Sequence, residues 1–161
     1  MAATTATGAN VGTRSNHVAA PRAVHPVLAA AGVGLQMDFV TQEDADQLLA
    51  AIDNSPWDTS LRRRTQHYGA RFNYASKACA DELVPMPAWV QPLLHRLSES
   101  KLLPWRAPPN QLTINEYPPG VGIASHVDTH SAFEDGIAAL TLGGGTTLKM
   151  CRLEPSQEVV G

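Results

Sequence analysis

A histidine and an aspartate two positions apart, in His126-Val127-Asp128, are the strongest chemical signal in this sequence. On an extended strand, residues i and i+2 project from the same face, so the imidazole and the carboxylate should converge. These groups are two of the three ligands of a 2-His-1-carboxylate facial triad, which leaves positions on Fe(II) open for an organic cosubstrate and dioxygen. His130 competes for the same role if the strand continues, and is a solvated loop residue if it does not. A surface histidine beside an aspartate is the ordinary alternative.

A second group of polar side chains lies just upstream of this pair. Between Gln111 and Tyr117 the sequence alternates, which places Asn115 and Tyr117 on one strand face and apolar residues on the other. An amide and a phenol placed together can hydrogen-bond a carboxylate-bearing cosubstrate beside a metal. The alternative is a polar strand face in contact with water.

Residues 110–143, NQLTINEYPPGVGIASHVDTHSAFEDGIAALTLG, resemble the metal-site region of the AlkB-type Fe(II)/2-oxoglutarate dioxygenases. Within that family the segment HVDTHSAFED is most similar to the branch typified by AlkB homologue eight, which hydroxylates a modified uridine at the tRNA wobble position. Residues 62–74, RRRTQHYGARFNY, resemble the nucleotide-recognition lid of that branch. The resemblance covers roughly residues 35–152.

The resemblance implies an enzyme with Fe(II) and 2-oxoglutarate as cofactors. Carried over residue by residue, it makes His126 and Asp128 the catalytic iron ligands and Asn115 and Tyr117 the contacts of 2-oxoglutarate. It also implies a double-stranded β-helix, a relative of the jelly roll, in which helices support one sheet.

A basic and aromatic segment supplies the candidate contacts for RNA: Arg62, Arg63, Arg64, His67 and Tyr68. Cations suit phosphates and planar groups suit base stacking, so this composition fits an RNA-binding surface. Three adjacent arginines can equally be a solvated edge. The resemblance favours phosphate contacts, with tRNA or another RNA as the partner and a tRNA methyltransferase as a further expected partner.

The sequence predicts two helices followed by short strands, a mainly β or α+β arrangement. Thr41 and Asp44 form a capping box before an apolar face that repeats at helical spacing as far as Ser55-Pro56. A second helix is predicted over residues 88–98, with Pro92 in its first turn because a proline inside a helix costs about 3 kcal/mol. Strands are predicted over residues 111–117, 123–128 and 137–142.

The chain has 161 residues, with 12 Lys and Arg against 15 Asp and Glu and a formal net charge of -3. This balance excludes attraction of the whole molecule to nucleic acid or an anionic membrane, so RNA binding would need a local basic patch. We expect a monomer without membrane association, in the cytoplasm or the nucleus. Residues 1–32 are expected to be disordered, or alternatively to be an organelle transit peptide.

Residues 33–161 are expected to form an AlkB-like domain that is incomplete at its C-terminus. The family uses a second histidine ligand and arginines that bind 2-oxoglutarate, whereas His130 and Arg152 are the only residues of these types after Asp128. The last strands of the barrel should therefore be missing. Two alternatives to an active oxygenase stay open: a catalytically inactive RNA- or protein-binding module, and a fragment that does not fold.

Overall fold

The computed structural model describes residues 2–6, 24, 26–70, 72–73, 78–79, 84–128 and 136–151. Its elements, in chain order, are β1 (Ala2–Ala6), α1 (Pro26–Ala30), α2 (Gln42–Asp53), β2 (Arg64–Gly69), β3 (Phe72–Asn73), β4 (Ala78–Cys79), a 3-10 turn (Ala88–Val90), α3 (Gln91–Ser100), β5 (Gln111–Tyr117) and β6 (Ala139–Leu142).

Four of the strands form one mixed sheet in the order β2-β5-β1-β6. β5 runs antiparallel to β2 and parallel to β1, and β1 runs parallel to β6. In the β2–β5 ladder, Thr65 lies opposite Asn115 and Gln66 lies opposite Ile114. This register fixes which residues of the two strands share a face. β3 and β4 form a separate two-stranded ladder.

The predicted first helix is confirmed as α2, and so is the capping box before it. The Thr41 hydroxyl accepts a hydrogen bond from the Asp44 backbone N–H at 3.1 Å, and the Asp44 carboxylate accepts one from the Thr41 N–H at 3.4 Å. These bonds satisfy N–H groups that have no partner within the first turn of a helix. The helix ends at Asp53, immediately before Ser55-Pro56.

The second predicted helix is also confirmed, as the 3-10 turn followed by α3, and Pro92 lies in its first turn. There the proline displaces no intrahelical hydrogen bond. Arg96 of α3 then joins the two helices, because its guanidinium donates to the Asp44 carboxylate at 2.7 Å. The predicted strand over residues 111–117 is confirmed as β5.

The core lies between one face of the sheet and the two helices. It consists of apolar side chains from α2, the 3-10 turn, α3, β5 and β6: Leu48, Ile52, Val90, Leu93, Leu94, Leu112, Ile114 and Leu142. Ile114, on the strand between β2 and β1, has 0% of its surface exposed. Packing on the helices therefore fixes which face of β5 points away from the core.

The structure differs from several other predictions made from the sequence. Residues 123–128 are not a strand, since none of them pairs in a ladder, and the strand predicted over 137–142 is restricted to β6. Two stretches within the segment predicted to be disordered are placed in β1 and α1. The sheet with its helices agrees with the α+β class, and a double-stranded β-helix is not confirmed. Among the described residues, no helix combines the length and apolar character needed to cross a membrane.

Candidate functional site

The β2–β5 pair has a polar face on the side opposite the helices. Alternation along β5 sends Leu112 and Ile114 into the core and Thr113, Asn115 and Tyr117 to the other side. We call this second side the polar face. From β2, the register adds Thr65 opposite Asn115 and His67 opposite Thr113, and a hydrogen-bonding distance of 3.2 Å separates His67 Nδ1 from Thr113 Oγ1.

The predicted cosubstrate residues Asn115 and Tyr117 lie at the end of β5 on this polar face. Asn115 is only 8% exposed, whereas Tyr117, the last residue of the strand, is half-buried. The Asn115 side-chain oxygen accepts a hydrogen bond from Arg63 Nε at 2.9 Å. A buried amide needs such partners because it loses its hydrogen bonds to water. The structure therefore brings Asn115 and Tyr117 together as predicted and adds Arg63 to them.

The predicted iron ligands, His126 and Asp128, lie in a segment without ladder pairing. Their side chains are 53% and 62% exposed, and His126 Nε2 is 3.4 Å from Asp128 Oδ1. His126 Nδ1 is 3.0 Å from the carbonyl oxygen of Ala124. A carbonyl can only accept, so in this contact Nδ1 carries a proton and donates to it, while Nε2 faces the Asp128 carboxylate.

The spacing of His126 Nε2 and Asp128 Oδ1 is compatible with both atoms binding one divalent cation. Two ligand atoms about 2.1 Å from one metal ion are separated by roughly 3.0 to 3.4 Å at angles between 90° and the tetrahedral value. The separation of 3.4 Å lies within that range, and the carbonyl contact at Nδ1 is the usual outer hydrogen bond of a metal-binding histidine. The predicted pair is thus arranged so that one cation could contact both atoms.

A third protein ligand is not found in the described part of the chain, where no group of three or more His, Cys, Asp or Glu side chains could hold a metal ion. His130, the competing candidate, lies outside the described residues. Within the described residues, the structure places one imidazole and one carboxylate close together at this position.

The three consecutive arginines of the predicted RNA surface lie in three different environments. Arg62 is exposed, and Arg63 is half-buried against Asn115. Arg64 projects to the helix side, where its guanidinium binds the carboxylate of Glu116 through Nε and Nη2 and that of Asp53 through Nη2. The hydrogen bond to Glu116 raises the pKa of Arg64.

The guanidinium of Arg64 also stacks over the ring of Trp57 at 4.3 Å from its centroid, a cation–π contact. Tyr68, another RNA candidate, is half-buried and meets Trp89 edge to face, with ring centroids 6.1 Å apart. His67, by contrast, is exposed. Arg64 and Tyr68 therefore have contacts within the fold that account for them without RNA.

Sequence reasoning did not foresee the contact between Arg63 and Asn115 or the ion pairs of Arg64. The partners are 52 residues apart along the chain in the contacts with Asn115 and Glu116. Residues 64–69, RTQHYG, carry no apolar alternation that would have indicated the pairing with β5. Neither segment by itself specifies the pairing register that brings the contacting residues together.

No family model matches the chain. It is 40% identical over 136 residues to a protein of Arabidopsis thaliana named alkylated DNA repair protein ALKBH8 homolog, covering 78% of this chain and 38% of that protein. It is 35% identical to the mouse tRNA (carboxymethyluridine(34)-5-O)-methyltransferase ALKBH8, covering 69% of this chain and 18% of that protein. The human alpha-ketoglutarate-dependent dioxygenase alkB homolog 4 is 30% identical, with coverage of 77% and 42%. The chain thus spans well under half the length of each of these relatives.

Proposed function

We propose, from the confirmed similarity of this chain to AlkB-type dioxygenases close to the ALKBH8 branch, that it is the metal-site part of an Fe(II)/2-oxoglutarate-dependent oxygenase acting on RNA. The observation that carries the proposal is the convergence of His126 and Asp128 within a segment that resembles the metal site of that family. The modified wobble uridine of tRNA is the proposed substrate, and a double-stranded β-helix is the proposed complete fold.

His126 and Asp128 are the residues that would hold the iron. His126 would bind through Nε2, because Nδ1–H donates a hydrogen bond to the Ala124 carbonyl and this contact fixes the ring orientation. The Asp128 carboxylate would supply the negative charge that an Fe(II) site needs. Bound iron, together with 2-oxoglutarate and dioxygen, supplies the oxidising chemistry, and the protein positions the substrate and excludes water.

Asn115 and Tyr117 are the residues that would bind 2-oxoglutarate. Both carry N–H or O–H donors, which a carboxylate requires because it can only accept hydrogen bonds. Their position on the polar face leaves the core side of β5 intact, so the same strand can serve both packing and binding. Burial of Asn115 supports a fixed orientation of its amide.

The proposal of RNA as substrate rests on the resemblance and on the exposed residues Arg62 and His67 near the start and middle of β2. The name of the mouse relative gives carboxymethyluridine 34 of tRNA for that protein. We extend the substrate class to this chain as a proposal. A tRNA methyltransferase is the corresponding proposed partner.

A catalytically inactive binding module is the second candidate. The number of metal ligands favours this candidate, since among the described residues no third His, Cys, Asp or Glu side chain joins His126 and Asp128. Two protein ligands should hold Fe(II) more weakly than three. This candidate retains the basic segment and predicts RNA binding without consumption of 2-oxoglutarate.

Metal titration combined with a turnover assay tests the proposal. Under anaerobic conditions, adding Fe(II) or Co(II) to the full chain should give saturable changes in the metal-sensitive absorption spectrum. With oxygen, 2-oxoglutarate and tRNA supplied, succinate should be released. Both signals should disappear in His126→Ala, because the imidazole provides one of two identified ligands.

His95→Ala is the matched control, because His95 is an exposed histidine on α3 whose loss removes the same ring from the surface. This variant should titrate like the wild type. Equal metal responses in His126→Ala and the wild type would refute the assignment of the ligand. A folded wild type that binds RNA but neither responds to metal nor releases succinate would establish the inactive module instead.

A further inference from the structure

Arg63 lies immediately before β2 and reaches the polar face of the sheet. The β2–β5 ladder begins with Arg64 opposite Glu116 and Thr65 opposite Asn115, so Arg63 directly precedes the paired residues. The side chain is half-buried, and its Nε donates to Asn115 Oδ1 at 2.9 Å. Arg63 therefore contacts Asn115, one of the two residues proposed to bind 2-oxoglutarate.

The contact with Arg63 determines how Asn115 can interact with a ligand. An amide side chain has one accepting oxygen and one donating NH₂ group, and either can face a given partner. A guanidinium has only donors, so it binds the oxygen and thereby turns the NH₂ group of Asn115 toward its other partners. A carboxylate needs donors, so this orientation of the amide is the one that suits it.

The charge of Arg63 acts in the same direction. A guanidinium is a cation, and hydrogen bonds in which one partner is ionised are stronger than neutral ones. Arg64 cannot provide this charge, since it lies on the opposite face and is engaged by Glu116 and Asp53. Arg63 and Arg64 thus make their contacts on opposite faces of the sheet.

We propose that Arg63 is a positioning residue of the 2-oxoglutarate subsite, which orients the Asn115 amide and adds positive charge beside the cosubstrate carboxylate, and is not primarily an RNA contact. This inference rests on the proposed function, because it requires Asn115 to bind the cosubstrate. It changes the role of one of the five residues that the sequence assigned to RNA.

The test combines binding and spectroscopy on the full chain. The side-chain NH₂ resonances of Asn115 are assigned in ¹⁵N-labelled protein by comparison with Asn115→Asp. They are then recorded in the wild type, Arg63→Gln, Arg63→Lys and Arg106→Gln. Dissociation constants for 2-oxoglutarate are measured by calorimetry with Co(II) present and oxygen absent, and tRNA binding is measured separately.

In Arg63→Gln we expect shifted Asn115 NH₂ resonances, at least tenfold weaker binding of 2-oxoglutarate, and tRNA binding within twofold of the wild type. Arg63→Lys should bind 2-oxoglutarate with an affinity between those of the wild type and Arg63→Gln, because lysine keeps the charge but lacks the planar guanidinium. Arg106 is an exposed arginine in the loop before β5, so Arg106→Gln should behave like the wild type in every measurement.

The outcomes separate this inference from the proposed function. If the wild type does not bind 2-oxoglutarate, the proposed function and the role of Arg63 both fail. If the wild type binds it and Arg63→Gln binds it equally well, only the role of Arg63 is refuted, and shifted Asn115 resonances would then show a purely structural contact. If Arg63→Gln loses tRNA binding and keeps its affinity for 2-oxoglutarate, Arg63 is an RNA contact and the proposed role is refuted.

Discussion

Replacing Gly69 by alanine tests the packing at the end of β2, where the strand leaves its ladder with β5. Gly69 has a φ of +78°, a backbone conformation that L-residues adopt only with strain. A Cβ added there would lie 1.9 Å from the carbonyl oxygen of Asn110. That oxygen belongs to the backbone and accepts a hydrogen bond from Ala70 N–H at 2.9 Å, so it cannot move without loss.

The expected cost of Gly69→Ala has two components. The left-handed conformation costs roughly 1 to 2 kcal/mol for a residue with a Cβ. The clash requires the Asn110 carbonyl to retreat until the contact exceeds 3.0 Å, which breaks or lengthens its bond to Ala70, at a further cost of about 0.5 to 1.5 kcal/mol. We therefore expect the free energy of unfolding to fall by about 1.5 to 3.5 kcal/mol.

Urea unfolding followed by tryptophan fluorescence and far-UV circular dichroism measures this loss, and two other glycines separate its components. Gly120 has a φ of +77° with open space around its Cβ position, so Gly120→Ala should cost about 1 to 2 kcal/mol, from the backbone conformation alone. Gly34 has open space and no positive φ, so Gly34→Ala should change stability by less than about 1 kcal/mol. A loss in Gly69→Ala no greater than that in Gly120→Ala would refute the role of the Asn110 contact.

Three further predictions concern the core and the ion pairs. Ile114→Ala should lower the free energy of unfolding by about 2 to 5 kcal/mol in the same urea assay, because the side chain is fully buried. Arg64→Met should cost about 1 kcal/mol at low salt, and the difference from the wild type should narrow in 1 M NaCl because the lost ion pair with Glu116 is screened. The hydrogen bond from Arg96 holds the pKa of Asp44 below its ordinary value. A depressed carboxyl pKa stabilises the fold above the unfolded-state pKa, and this contribution is lost as pH falls through the folded-state value, so Asp44→Asn should flatten the acid side of the stability profile.

Each of these three predictions has a control and a contrary result. Ile123→Ala removes the same side chain from an exposed site and should cost less than about 0.5 kcal/mol, so equal losses would argue against a core at Ile114. A salt-independent effect of Arg64→Met would assign its contribution to packing on Trp57 instead of charge. Parallel acid profiles of the wild type and Asp44→Asn would show that the Arg96 contact does not act in solution.

The local elements of the fold could be predicted because their causes are local. The capping box at Thr41 and Asp44 satisfies N–H groups within one helical turn, and Pro92 is compatible with only the first turn of α3. Alternation between Gln111 and Tyr117 likewise identified β5 and the face that carries Asn115. Each of these signals depends on residues no more than a few positions apart.

Strand formation in residues 123–128 was predicted wrongly because a strand requires a partner as well as a suitable sequence. The segment carries β-branched residues, yet none of the described strands forms a ladder with it. The His126 and Asp128 side chains still converge, with His126 Nε2 3.4 Å from Asp128 Oδ1. Their proximity could be predicted from the i, i+2 spacing, whereas their role as metal ligands stays a prediction.

The sequence by itself determined the two helices, the capping box of α2, the strand β5 and the residue types that could bind a metal and a carboxylate. Only the tertiary structure decided what each arginine contacts: Arg63 meets Asn115 on the polar face, while Arg64 meets Glu116 on the helix side. The physical reason is that neighbouring residues on a strand point in opposite directions, and a pairing register that joins segments 52 residues apart chooses their partners.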